Sequence, residues 1–197
     1  MKAKTSSIIT TFSLCLLLIA FLMTIEGNAI PILNKAKPIP ISETEVYCLT
    51  RNAYYEARGD SEMSQIAVTQ VVLNRMLNSN YPANACEVVY QKNRKEHNNV
   101  VVCQFSWYCD KRLMKNKVDE EAWDEAYTAV RKALSIYYQK GVDVTQGSTF
   151  YHAYYVNPGW RHLEKVTKIG SHIYYRESDN NGTTGRFAYE KVVFRTN

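Results

Sequence analysis

The sequence predicts an α+β fold in which helices come first and strands last. Three observations predict it. Apolar residues recur at helical spacing from Val46 to Leu77 and again from Trp123 to Tyr137. After Gly141 the chain turns aromatic and β-branched, as strands do. The two kinds of segment stand in blocks and do not alternate as βαβ units.

Ahead of the domain, Lys2 and Lys4 precede an apolar run that is densest from Leu14 to Met23 and ends near the small tripeptide Gly27-Asn28-Ala29. This is the plan of a secretory signal peptide. Ile8 to Ile25 approaches the length of a bilayer span, but Thr10, Thr11 and Ser13 shorten its strongly apolar part. Residues 1–29 are therefore read as a signal peptide cleaved after Ala29, with membrane contact only through an uncleaved leader, and the remainder as exported to the periplasm, cell wall or exterior. Residues 30–41, with Pro31, Pro38 and Pro40, read as a linker. Residues 42–197 then form one domain, long enough to bury its own core.

The whole chain carries 24 Lys and Arg against 19 Asp and Glu. So diffuse an excess suits an anionic surface such as cell wall and excludes no ordinary solvated surface, but it carries no nucleic-acid reading. Four cysteines follow the leader, Cys48, Cys86, Cys103 and Cys109, and an even count in an exported chain favours disulfides. Without a Cys-x-x-Cys pair or metal-type spacing around His97, His152, His162 and His172, neither a metal nor another cofactor is expected.

The first helix is predicted over about 43–58. Ser42 and Glu45 form a capping box, Val46, Leu49, Ala53 and Ala57 make the apolar stripe, and Gly59 stops it. A second helix is predicted over about 62–78, with Met63, Ile66, Ala67, Val71, Leu73 and Leu77 on or near one face. Gln70 and Asn74 interrupt that face one turn apart. Buried there, each amide needs partners, so both are expected to brace the structure. Residues 81–110 lack a pattern and predict a loop-rich insert pinned by Cys86 with Cys103 or Cys109. A third helix follows, capped by Asp119, with Trp123, Ala126, Tyr127, Val130, Leu134 and Tyr137 as its stripe. Strands are expected over 148–156 and 165–176 around the turn Asn157-Pro158-Gly159, and another edge strand over 187–194.

The segment most charged with chemistry is Tyr54-Tyr55-Glu56-Ala57-Arg58-Gly59. At 100° per residue Glu56 lies roughly 80° from Val46 and roughly 60° from Ala53, on the shoulder of the buried stripe. A carboxyl half-sunk against Tyr and Ala side chains has its charged form disfavoured, so it can arrive protonated as a general acid. A salt bridge to Arg58 or to another base at the helix end is the structural alternative. Asp60 and Glu62, the acids nearest in sequence, fall at or beyond the helix end and are expected to point to solvent.

The chain resembles the spore cortex-lytic, or SleB-type, cell wall hydrolase family. The resemblance rests on ordered motifs over about residues 45–176: Tyr55-Glu56-Ala57-Arg58-Gly59, Gln65-Ile66-Ala67-Val68, Val71-Val72-Leu73-Asn74-Arg75, Tyr81-Pro82 with Cys86, Val88-Val89-Tyr90-Gln91, Gln104-Phe105-Ser106, Tyr151-His152, Asn157-Pro158, Trp160, Ile169-Gly170, His172 and Tyr174-Tyr175. Asp60 departs from the family's usual glutamate and Ser64 from its usual glycine.

The resemblance implies a lysozyme-like α+β fold, a helical first half with a C-terminal β hairpin lining the cleft. It also implies one essential glutamate, which maps onto Glu56, and a peptidoglycan substrate of alternating N-acetylglucosamine and N-acetylmuramic acid. Gln104, Tyr151, His152, Asn157, Trp160 and His172 are candidates to line that cleft, an aromatic platform with a few polar groups that orient sugars. A lone acid suits lytic transglycosylation, which the resemblance also implies, by a chain expected to act as a monomer. The competing readings are a wall-peptide amidase or peptidase using Cys48 with His152 or His172, and a non-catalytic wall-binding protein.

Overall fold

Helix α1 (Glu43–Ala57) begins where the capping box predicts. Ser42 Oγ accepts from Glu45 N at 3.2 Å, and Ser42 N donates back to Glu45 Oε2 at 3.0 Å. Ile41, placed in the linker by its prolines, is instead buried in the same core cluster as Val46. These two residues flank the cap as a hydrophobic staple, so the domain begins one residue earlier than the polar cap marks. The computed structural model describes residues 41–94 and 100–178. The expected signal peptide, the expected linker up to residue 40 and the strand expected over 187–194 lie outside the described residues. Among those described, no helix is long and apolar enough to cross a membrane.

Gly59, at φ +78°, turns the chain out of α1. Helix α2 (Glu62–Leu77) starts on Ser61, whose Oγ accepts from Ser64 N, and is buried from Ser64 to Met76. Met63, assigned to its apolar face, is 45 % exposed in the first turn. That position lies beyond the packing of its neighbours. Helix α3 (Ala85–Val89) is a short piece laid on α1, and β1 (Lys92–Arg94) pairs antiparallel with β2 (Val101–Cys103). After a tight turn at Ser106–Tyr108 come α4 (Lys111–Lys115) and α5 (Glu120–Leu134), the latter capped by Asp119 as expected. Tyr127 is 41 % exposed and so lies off the stripe of α5 that Ala126, Val130 and Leu134 bury.

The disulfides correct the expected pairing. Cys48 bonds Cys86, and Cys103 bonds Cys109. The segment after Pro82 is helical and docks on α1, where Glu45 Oε1 accepts from Ala85 N at 3.1 Å. Docking presents Cys86 to α1, and the turn at Ser106–Tyr108 brings Cys109 back to Cys103. On the chain-entropy model, closing 38 residues contributes about 4 kcal/mol and closing 6 about 2 kcal/mol. Cys48, held in a disulfide, is no nucleophile.

The aromatic run after Gly170 is one strand, and the one before it another. Strands β3 (Phe150–Ala153), β4 (Leu163–Ile169) and β5 (His172–Glu177) form an antiparallel sheet in the order β3-β5-β4. The region predicted as one strand over 165–176 is therefore a hairpin, turned by Gly170 at φ +53°. A side chain at that glycine would force its neighbours to move. A Cβ would lie 2.0 Å from Ser64 Oγ and 2.5 Å from Asp60 Oδ2.

Helix α2 holds the sheet through the segment that enters β3. Gln70 Nε2 donates to Val142 O at 2.9 Å and its Oε1 accepts from Val144 N at 2.8 Å. Asn74 Nδ2 lies 3.0 Å from each of Asp143 Oδ2, Thr145 Oγ1 and Ser148 O, while Tyr137 OH donates to Asn74 Oδ1. Arg75 Nε donates to Thr149 O at 2.8 Å. Both amides brace, as expected. Asn74→Leu leaves a carboxylate, a phenol, a hydroxyl and a carbonyl short of a partner. It should lower the unfolding free energy by about 3–5 kcal/mol, read from urea denaturation.

Candidate active site

Glu56 stands in the last turn of α1, and the capping and stripe that set the helix also set its direction. Its carboxyl faces the sheet, where Tyr151 OH donates to Oε2 at 2.9 Å. Arg58 is turned away, donating through Nη1 to Tyr54 OH at 2.7 Å with its guanidinium over the Tyr54 ring. Arg58 therefore forms no salt bridge with Glu56, and Arg75 acts on that carboxyl through its charge. Burial pushes the Glu56 carboxyl above the usual carboxylate range; the bond from Tyr151 and the Arg75 cation pull against burial without reversing it. The Tyr151 phenol is itself driven far up by burial and by the neighbouring carboxyl. It is a donor at any working pH.

Arg75 is the residue that reading for chemistry missed. It is buried on α2 between the rings of Tyr81 and Phe105, 5.3 and 5.1 Å from their centroids, and its Nη1 has no hydrogen-bond partner among the described residues. The available signal was its position, one turn after Val71 and next to Asn74 on the side of the helix that the core covers. Phe105 in turn lies 6.4 Å from Tyr151 by ring centroids, which brings the 104–106 segment to the site. Gln104, half-buried, donates its backbone N–H to Gln91 O.

The pleat divides the remaining candidates. Tyr151 pairs with Tyr174 and Ala153 with His172, so Tyr151, His172 and Tyr174 share the face toward α2. The His172 ring meets Tyr151 edge-on at 4.9 Å. Burial holds that imidazole below its ordinary value against the nearby Asp60 charge, and its Nδ1 has no partner among the described residues. His152 pairs with Ile173 and points to the opposite face, where it stacks on Tyr175 and meets Trp160. Asn157 lies in the same outer group. Of the six residues expected in one cleft, Tyr151 and His172 stand on the Glu56 side, Gln104 lies in the segment that Phe105 brings there, and His152, Asn157 and Trp160 face the other way. Adjacent residues of a strand cannot both face one cleft.

The acids nearest Glu56 in sequence are committed. Asp60 does not point to solvent as expected: Oδ2 accepts from Ser171 N and Oδ1 from Ser61 N, at 2.9 and 2.8 Å. Partial burial opposes its charge, but these bonds outweigh it and hold the carboxyl below the usual range. Glu62 pairs with Lys132 Nζ at 2.5 Å. A cavity of about 650 Å³ beside them is lined by Asp60, Glu62, Gln65, Glu121, Asp124, Glu125 and Thr128 and does not include Glu56.

Comparison with known proteins bears on this site. A family model described as Cell Wall Hydrolase matches residues 59–175, beginning three residues past Glu56. The chain is 28 % identical over 150 residues to the spore cortex-lytic enzyme of Halalkalibacterium halodurans, across 72 % of this chain and 38 % of that protein. The chain thus spans well under half the length of that curated relative. Two solved structures are similar. One is the catalytic domain of the Bacillus cereus SleB protein, at TM-score 0.51 and 22 % identity over 71 % of this chain and 95 % of that one. The other is the catalytic domain of the germination-specific lytic transglycosylase SleB from Bacillus anthracis, at TM-score 0.52 and 23 % identity over 71 % and 99 %. Both likenesses show the fold, a lysozyme-like α+β domain.

A group whose folded pKa is raised stabilises the fold below its unfolded pKa and loses that contribution as pH rises through the folded value. Glu56→Gln, which keeps an acceptor for Tyr151 and cannot ionise, should therefore be more stable than the parent at pH 8. The difference should shrink toward pH 4, as followed by thermal denaturation across that range.

Proposed function

The chain belongs to the cell wall hydrolase family, and from that membership we propose that it cleaves the glycan strands of peptidoglycan with Glu56 as proton donor. The observation that carries this reading is the half-buried carboxyl itself, raised above the carboxylate range and held on one oxygen by a phenol that stays protonated. Such a group can arrive neutral and leave charged.

The chemistry then runs through one carboxyl. Glu56 gives its proton to the glycosidic oxygen as the bond from C1 of N-acetylmuramic acid breaks, and the leaving sugar departs as an alcohol. Tyr151 steadies the carboxylate that results, and Arg75 supplies a nearby positive charge. Ordinary glycosidases add a second carboxylate roughly 5 to 10 Å away to attack the sugar or activate water. Here Asp60 is occupied by two backbone N–H groups and Glu62 by Lys132. The C6 hydroxyl of the same muramic acid supplies the nucleophile instead: its oxygen closes on C1 and its proton returns to Glu56. The product ends in 1,6-anhydromuramic acid, and no water is consumed. This is lytic transglycosylation, the activity that the Bacillus anthracis relative's description carries.

Muropeptides released from purified sacculi should carry 1,6-anhydro ends, lighter by one water than reducing ends, in the mass spectrum. Reducing muramic ends alone would replace this mechanism with hydrolysis. Glu56→Gln should lower release by about 10²- to 10⁴-fold, the usual contribution of a general acid. Activity should fall on the alkaline side as Glu56 loses its proton. Tyr151→Phe removes a bond that favours the charged form, so its alkaline limb should move to higher pH while its maximal rate drops.

A further inference from the structure

We propose that the outer face of the β3-β5-β4 sheet, turned away from Glu56, is a second carbohydrate site that takes an anionic stretch of glycan strand. The proposal rests on peptidoglycan being the substrate and adds to it where the strand is held while another part is cut.

Four rings gather on that face. Trp160 meets Phe150, His152 and Tyr175 edge-on, with centroids 5.8, 5.6 and 5.8 Å away. His152 stacks on Tyr175 at 5.2 Å, with Nε2 3.0 Å from Tyr175 OH and Nδ1 2.9 Å from Ala153 O. Both imidazole nitrogens are engaged, so the platform is rigid before any ligand arrives. All four rings remain half-buried, whereas Tyr174 on the inner face of the same sheet is fully buried. The outer cluster is an open surface, and the inner one is core.

The loop after β3 folds this surface into a concavity of about 330 Å³. Asn157 Oδ1 accepts from Gly159 N at 3.1 Å, and Gly159 at φ +71° completes a turn that sets Trp160 against the sheet. The size falls at the small end of ligand pockets, and aromatic walls with a few polar groups suit the apolar faces of sugar rings.

Charge selects among sugars. Lys165 pairs with Tyr175 and Lys168 with Ile173, so both lysines share the outer face, and Arg161 lines the concavity. Lys168 Nζ sits 4.7 Å from the Tyr154 ring centroid, at the rim. Glu164 pairs with Arg176 on the other parity of the strands, and the carboxylate of outer parity on β5, Glu177, stands at the strand's far end opposite Leu163, so the cations outnumber it. An aromatic floor with a cationic rim fits a glycan that carries carboxylates, as the stem peptides amide-linked to the lactyl groups of muramic acid do, better than a neutral one such as chitin.

The test uses full-length Glu56→Gln, which binds without cutting. Titration of the ¹⁵N-labelled protein with soluble disaccharide-peptides from peptidoglycan should shift the Trp160 indole N–H signal and leave that of Trp123 in place. Co-sedimentation with purified sacculi should weaken at least about tenfold in Lys165→Glu/Lys168→Glu and in Trp160→Ala, and neutral chitin oligosaccharides should bind more weakly than the anionic fragments. Shifts confined to residues around Glu56 would overturn the proposal. So would undiminished sacculus binding by a natively folded double lysine variant, which keeps the test decisive if Trp160→Ala does not fold. Either failure leaves wall cleavage by the parent chain intact. Conversely, a shifted Trp160 signal with a parent chain inert toward sacculi would support the site and remove the cleavage reading.

Discussion

The site depends on how one polar stripe of α2 is satisfied. Gln70, Asn74 and Arg75 are buried on a helix that is otherwise core, and each would be costly there alone. Together they hold backbone and side chains of residues 142–149, so the chain enters β3 with no freedom in position. Tyr151 follows two residues later and reaches Glu56. Hydrogen bonding that keeps α2 from being destabilised is the same bonding that aims the phenol.

That arrangement gives Glu56 opposed influences of known sign. Burial disfavours its charge, while Tyr151 and Arg75 favour it, and burial prevails. Two of the three arrive by way of α2: Arg75 directly, and Tyr151 through the segment Arg75 grips. The helix that bears the glutamate is secured independently by the Ser42–Glu45 capping box and by Cys48–Cys86. Acid and surroundings are thus built on separate supports, and small adjustment between them suffices to move the balance.

Helices were legible because their signals are local. Ser42 with Glu45 and Asp119 name their own helix starts, and the 3.6-residue spacing names the buried face. Glu56 on the shoulder of α1 followed from counting angles. The disulfides were not legible, since Cys86 pairs with Cys48 only because a five-residue helix docks on α1, and nothing local to Cys86 encodes that docking. The β4–β5 hairpin was hidden in a single alternating run whose turn is only Gly170-Ser171. The split of the cleft candidates was readable and went unread: Tyr151 and His152 are adjacent, and grouping them by motif instead of by parity put both on one side.

Gly170 shows how the present sequence limits its own successors. A Cβ there would meet Ser64 Oγ and Asp60 Oδ2, so the turn and the start of α2 share a space that holds one set of side-chain atoms. With glycine at 64 part of that obstruction is gone, though the positive φ of Gly170 strains a replacement in either case. Substitution at 170 is therefore coupled to the side chains at 60 and 64. Because Asp60 also grips Ser171, a misstep at this pair would travel along β5 to His172, whose ring abuts Tyr151. Variation far from the acid in sequence is thus filtered by the geometry of the acid's partner.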